Sequence, residues 1–399
     1  MDHIGAWRIG LLLSLAHLGC GAKSPTQTIA FSATFGLESR TGSIVGQADS
    51  AANIWRMNAD GTGLMALTHY SARYAGANGP KWSPDGSKIA FLSNGNLDGS
   101  DAAGINNPLN VWLMNADGSG RVPLTHVTGV GVYAEHVDWS LDGSKIVFSS
   151  SLMLDGSNGV NPTVNIWRIN SHGTGLVPLT RLTAPLAQSS EPQWSPDGNE
   201  IVFASTRTLD GNDMGAGFWN IWKMNADGSS AVPLTTWRDA ASSGSPRWSP
   251  DGTKIAYLAP DGIRKMKPDG SSSTLVTGGI DPEWSPDDRR LAFITRERLD
   301  GSFDQLAPSN IWVVHVDGSG REPLTKATAY YADNYPSRWS PDGSKLVFPS
   351  TRNLDGSDTT DPNFTENIWA MKADGTGLTP LTKASIPHTW SGGVQFQPH

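Results

Sequence analysis

The chain has 399 residues with 44 Gly, 26 Pro and 16 Trp, and a formal net charge of −8. Of its 38 acidic residues 17 sit in Asp-Gly pairs, and its Lys and Arg form no cluster, which excludes the basic footprint of a nucleic-acid binder. A single cysteine, Cys20, excludes an intrachain disulfide and a cysteine metal cage.

In chain order, residues 1–20 carry Arg8, an apolar run from Ile9 to Ala16 and then His17-Leu18-Gly19-Cys20. This is the layout of a signal peptide, with a run too short to span a bilayer. It resembles a bacterial lipoprotein signal, which implies lipidation at Cys20 and a lipid anchor as the only membrane contact. Residues 21–28 read as a linker. From residue 29 to residue 399 the chain is one repeat in tandem: Trp-Ser pairs begin at Trp82, Trp139, Trp194, Trp248, Trp284 and Trp339, spaced 57, 55, 54, 36 and 55 residues apart.

Each copy holds four short runs rich in Val, Ile, Leu, Phe and Trp, separated by two Asp-Gly turns and one long loop. Glycine takes positive φ and Asp bonds its own turn, so these are hairpin signals. The expected fold is all-β: a seven-bladed β-propeller of four-stranded antiparallel blades. In the copy at Trp339 the strands read as Ser337 to Ser340, Lys345 to Pro349, Asn367 to Lys372 and Thr379 to Thr382. At the N-terminus, Ile29 to Ala33, Asn53 to Met57 and Leu64 to Thr68 supply only the second, third and fourth strands of a blade. Phe396-Gln-Pro398 lies 14 residues after Thr382, the same interval that separates Thr325 from Trp339. Val394 to Pro398 is therefore the missing first strand, and the ring closes by N-/C-terminal strand exchange, which removes an open sheet edge.

Most recurring residues read as scaffold. The Trp and Met of each copy fill the wedge between adjacent sheets, and Asp85, Asp197 and Asp342 read as turn formers. In a meander the short Asp-Gly turns share one face, and the long loops and blade-to-blade connections share the other, where binding residues gather. Three features stand out there. The recurring Leu-Asp-Gly-Ser/Asn loops, with Asp98, Asp101, Asp155, Asp210, Asp213, Asp300, Asp355 and Asp358, offer oxygen ligands for Ca²⁺, or else pin the loop by an Asp-Gly turn. Positions three before each first-strand Trp are expected to ring the channel mouth. His136, Glu191 and Asp281 fall there, with Glu135 and Glu283 beside them, as metal or acid–base candidates or as solvated lining. Finally, Ala259-Pro-Asp-Gly262 replaces the long loop of blade 5 and only seven residues separate Thr277 from Trp284. This is expected to cut a notch in the rim, flanked by Trp237, Arg238 and Asp239 and by Tyr330, Tyr331 and Asp333, open to a peptide or glycan.

The Trp-Ser-Pro-Asp-Gly, Asn-Ile-Trp and Pro-Leu-Thr signatures resemble the TolB-type, WD40-like propeller repeat family over essentially everything from Ile29 onward. With few residues between Cys20 and the first strand, the chain reads as a stand-alone propeller lipoprotein without the α/β domain of TolB itself. Prolyl oligopeptidase-like relatives imply a Gly-x-Ser-x-Gly elbow that is missing here, and oligogalacturonate lyases imply a His-rich metal site. The resulting expectation is a monomeric, non-enzymatic binding propeller of the bacterial cell envelope, periplasmic or on the surface, recognising a protein, peptide or glycan. The alternative is a metal-dependent polysaccharide lyase or hydrolase with its site at the channel mouth.

Overall fold

A computed structural model describes residues 27–37, 44–46, 51–72, 75–100, 107–185, 187–210, 215–237, 243–357, 360–361, 365–384 and 391–398. Seven four-stranded antiparallel sheets form the blades of a propeller. Blade 1 runs, from the channel outward, Ser391–Phe396, Thr28–Ala33, Asn53–Asn58 and Met65–Ala66. The C-terminal strand is thus innermost in a blade that the N-terminal part of the chain completes, with Ile29 opposite Phe396. The Gln397 amide N–H bonds Thr28 O at 2.8 Å and its side chain bonds Gly86 O in blade 2 at 2.8 Å, which ties the closing strand to both neighbours. A small hairpin, Phe35–Leu37 with Ile44–Gly46, sits in the long loop of blade 1; the repeat pattern does not signal it.

The core lies between blades. Ala30 and Ile54 of blade 1 pack with Trp82, Ile89, Phe91, Trp112 and Met114 of blade 2, and Val347, Ile368 and Leu381 of blade 7 pack with Ile29, Phe31, Trp55 and Phe396 of blade 1. Trp112, Trp167, Trp222 and Trp369 are fully buried. Each such ring removes roughly 150–250 Å² from water, so the once-per-repeat aromatics are wedge fillers. The Asp of the first turn is a turn former too: in six blades its carboxylate accepts the preceding Ser hydroxyl at 2.6 Å.

The outermost strand of most blades has only two residues, Thr379–Pro380 in blade 7, shorter than the run to Thr382 that the apolar pattern suggests. The reason is a buried clamp. In blade 7 the Asn367 Oδ1 accepts Thr382 Oγ1 at 2.9 Å and the Ala384 N–H at 2.8 Å, while its Nδ2 donates to Ala384 O at 3.1 Å. The Thr382 hydroxyl in turn accepts the Ile368 N–H at 2.9 Å. The same four bonds recur around Asn53, Asn110, Asn165, Asn220 and Asn310. The chain turns out of the sheet after Pro380 to satisfy the carboxamide, so the ladder stops two residues before the threonine.

Blade 5 departs from this scheme. Its third strand is Gly262–Met266 and its outermost strand, Thr274–Thr277, is four residues long. Gly262 occupies the clamp position, with φ 126° and no room for a Cβ, which would lie 2.4 Å from Thr277 O. In a blade that has the clamp, Asn310→Ala is expected to lower stability by about 2–4 kcal/mol, because a buried hydroxyl and a backbone amide both lose their partner. A fall in the urea midpoint with an unchanged slope would show it.

Candidate functional site

The innermost strands of consecutive blades touch all round the ring and line the central channel. Five of the seven, and the closing strand of blade 1, share one irregularity. In blade 2, Asn78 pairs with Leu92 and Lys81 with Ala90, so one extra residue is accommodated in between. This is a β-bulge whose extra residue takes a left-handed conformation. The residues with that conformation are Gly79 (φ 60°), His136 (53°), Glu191 (55°), Ser245 (47°), Asp281 (54°) and Gly393 (59°). They are six of the seven positions that the repeat alignment places at the channel mouth. The seventh is Pro336, whose ring forbids positive φ; there the innermost strand shrinks to Arg338–Trp339.

The bulge aims these side chains differently from their neighbours, but it does not gather them into one catalytic group. His136 Nδ1 lies 3.0 Å from Ser190 Oγ and 3.2 Å from Ser149 Oγ, with Glu135 Oε2 at 3.8 Å. Glu191 Oε2 accepts the Ser245 N–H at 2.5 Å. Asp281 has no hydrogen bond or ion pair among the described residues; burial raises its pKa, and Arg247 and Arg338 pull it back down. Glu283 belongs to a deeper layer, paired with Arg338 at 3.2 Å. Lys81 faces Asp138 at 3.7 Å in that layer, where burial lowers the lysine's pKa and raises that of the aspartate. Asp138 and Gln193 also accept the backbone N–H of Trp194 and Trp248 in the next blade, at 3.0 and 2.8 Å, which stitches the channel wall together. Among the described residues no group of three or more His, Cys, Asp or Glu could hold a metal ion.

The acidic loops are likewise each closed on themselves. Asp98, Asp155, Asp300 and Asp355 accept the N–H of Ser100, Ser157, Ser302 and Ser357 at 2.7–2.9 Å, and the hydroxyls of these serines first, then their N–H groups, lower the pKa of each carboxylate. Asp210 accepts the Thr208 hydroxyl. Asp101, Asp213 and Asp358 lie outside the described residues, as do Cys20, Arg238 and Asp239.

The notch is present. Where blade 5 lacks its long loop, a cavity of about 610 Å³ opens against blade 6, lined by Leu258, Gly279, Ile280, Ile294, Phe303 and Tyr335 among others. Its walls differ from those expected. Trp237 lines a separate 300 Å³ cavity with Leu209 and Phe218 under the loop of blade 4. Tyr330 lines a third, of 370 Å³, on the far side of the blade 6 loop. Asp333 is not itself in the wall but bonds two residues that are, Ser309 through its N–H at 2.8 Å and hydroxyl at 2.9 Å and Arg296 at 3.2 Å. Phe303 is 70% exposed, Tyr331 59% and Tyr330 54%. Burial, with Glu366 and Asp333 nearby, pushes the Tyr335 hydroxyl up to about 12. The replacement of Asn-Ile-Trp by Gly262-Ile-Arg264 marks blade 5 in the sequence; the signal that sequence reading passed over was the Gly278-Gly279 pair.

Comparison with known proteins agrees with the repeat pattern. The TolB beta propeller domain family matches residues 157–302, and the chain carries TolB-type propeller repeats. An uncharacterized peptidase, YuxL, of Bacillus subtilis is 29% identical over 216 residues, 52% of this chain and 28% of that one. The chain spans 53% and 28% of the lengths of the curated relatives it matches. Among solved structures, TolB from Acinetobacter baumannii superposes with a TM-score of 0.50 at 16% identity, covering 94% of this chain and 67% of that one. An oligogalacturonate lyase in complex with manganese gives 0.55 at 14% identity, covering 90% and 86%. At these identities the likeness is one of fold.

Two outcomes test this geometry. Asp281→Gly removes an unbonded, partly desolvated carboxylate and a left-handed non-glycine residue together, and is expected to raise stability by about 1 kcal/mol, read by chemical denaturation. Glu366, 7% exposed, has its carboxyl pushed by burial from 4.5 up to about 8. The folded chain then holds a proton that the unfolded chain releases. This stability contribution is complete below about pH 4.5 and is lost as pH rises toward about 8. In Glu366→Gln the decline across that window is expected to flatten, seen in urea midpoints at its two ends.

Proposed function

We propose that this TolB-type propeller is a non-enzymatic binding module of the bacterial cell envelope, held there through Cys20, and that it recognises a protein partner through its long-loop face. The observation that carries the reading is the concentration of exposed large apolar side chains on that face in blades 6 and 7: Phe303, Leu306, Tyr330, Tyr331 and Tyr335. Aromatic side chains held on a rigid scaffold and left in water are what protein interfaces bury at their centres. The opposite face is made of short Asp-Gly turns whose carboxylates are already bonded within the turn, so it offers a partner little beyond a solvated acidic surface. The lyase reading draws on likeness of fold alone, since His136, Glu191 and Asp281 each make separate local contacts or none.

A photo-crosslinking side chain placed at position 330, or at Leu141 on the Asp-Gly face as control, tests this in envelope preparations. A discrete adduct from position 330 and none from 141 is expected. Tyr331→Ala should weaken that adduct about tenfold or more, as for an interface anchor. Adducts from position 141 alone would overturn the assignment of the face.

A further inference from the structure

The chain holds three Asn-Gly pairs, Asn78-Gly79, Asn94-Gly95 and Asn158-Gly159. In such a pair the glycine nitrogen can attack the asparagine side-chain carbonyl, because no Cβ on the glycine stands in the way. The fold treats the three unequally. Asn78 and Gly79 belong to the innermost strand of blade 2, where Asn78 is held opposite Leu92. Asn94 Oδ1 accepts the Gly76 N–H at 2.7 Å, and the Asn94 N–H bonds Gly76 O at 3.2 Å. Gly95 is buried, its N–H donates to Ser93 Oγ at 3.0 Å, and the Tyr70 side chain lies against it. Neither pair can bring the nitrogen to the side chain without opening the structure around it.

Asn158-Gly159 lies in the long loop of blade 3, and both residues are exposed. The Gly159 N–H makes no hydrogen bond among the described residues, so the nucleophilic nitrogen is uncommitted. The electrophile is held in place: Asn158 Oδ1 accepts the Thr128 N–H, from the connection between blades 2 and 3, at 3.1 Å. Attack at Cγ moves negative charge onto that oxygen, and a backbone N–H already aimed at it stabilises the charge as it forms. The Asp-Gly pair of the same loop has neither advantage. The Ser157 hydroxyl and N–H lower the pKa of Asp155 and keep it ionised, and the Gly156 N–H is donated to Met153 O at 2.8 Å.

We propose that Asn158 is a self-modification site, at which the folded chain converts the Asn-Gly pair through a cyclic imide into aspartyl and isoaspartyl products. The Gly159 nitrogen gives up its proton and bonds Asn158 Cγ, the Cγ–Nδ2 bond breaks, and ammonia leaves. Water then adds to either carbonyl of the imide, giving aspartate or the isomer whose main chain runs through the side chain. The sum is one water consumed and one ammonia released. The product carries a new negative charge on the long-loop face, beside Val130 and Val160, which are 65% and 49% exposed. The isomer also lengthens the backbone where Gly129 packs so closely against Asn158 O that a Cβ would not fit, so it cannot keep that contact.

The test incubates the full chain in mildly alkaline buffer, folded and in urea, and follows the three Asn-Gly peptides by digestion and mass spectrometry with chromatographic separation of the isomers. In the folded chain Asn158 is expected to convert about tenfold or more faster than Asn78 and Asn94, which must wait for local opening. In urea the three rates should draw together, and both aspartyl and isoaspartyl peptides should appear. Gly159→Ala puts a Cβ on the attacking residue, 3.0 Å from Cγ of the flexible Met153 side chain, and should slow conversion about tenfold with the melting temperature unchanged. The site is overturned if Asn158 converts no faster than the other two in the folded chain, if only the aspartyl form appears, or if Gly159→Ala converts at the unaltered rate.

Discussion

One buried side chain, the asparagine of Asn-Ile-Trp and its Asn-Val-Trp variant, governs how six of the seven blades end. Its carboxamide holds the backbone two residues beyond the Pro-Leu-Thr threonine, and the threonine hydroxyl caps an N–H of the third strand. The two groups thus satisfy each other and the backbone in a place water does not reach, where an unmet donor or acceptor costs about 1–3 kcal/mol. Because the outermost strand stops two residues before that threonine, the connection to the next blade starts from the same point on the same face in all six clamped blades. The regular placing of those six blades depends on this local constraint as much as on the tryptophan wedge between sheets.

The exception shows what the clamp does. Blade 5 has glycine at the position, and there the outermost strand runs on to Thr277 and the connection to blade 6 shortens to Gly278-Gly279. Gly279 takes φ 128°, and a Cβ on it would lie 2.4 Å from the Phe293 ring. Gly262 and Gly279 are therefore required by the close approach of chain segments whose usual spacer has been removed, whereas a Cβ on Gly278 would meet open space. The cavity above them follows from the same loss, since neither a loop nor a carboxamide is there to cover the end of the sheet.

The architecture was legible because it is periodic: Trp-Ser pairs at near-constant spacing gave the blades, and a 14-residue interval ahead of Phe396 revealed the exchanged strand. The channel-mouth positions were legible for the same reason, and their shared bulge confirms that the alignment was in register. The bulge itself was not, because glycine, histidine, glutamate, serine and aspartate have no common composition that marks a left-handed residue. The asparagine clamp was hidden in plain sight, since a polar residue between apolar ones reads as strand edge until its partners 15 and 17 residues on are seen. The walls of the notch were hidden for a different reason. Ile280, Phe303 and Tyr335 are 55 residues apart at the extremes and meet only through the fold, whereas Trp237 and Tyr330, nearer in appearance to binding residues, point into cavities of their own.

The two polar and apolar regions of the long-loop face differ in how far they are internally satisfied, and that difference bears on function. At the channel mouth a carboxylate is already bonded to a backbone N–H and a histidine already to two serines, so a ligand there must displace existing bonds or settle for Asp281. Displacement of a good hydrogen bond by another returns little net free energy. At the notch the reverse holds: rim charges are paired and inert, while apolar surface stands in water and a backbone amide lacks the side-chain partner that its counterparts have. Burying apolar surface returns roughly 25 cal/mol per Å². The part of the disc where the repeat is broken is accordingly the part with most to gain from a partner.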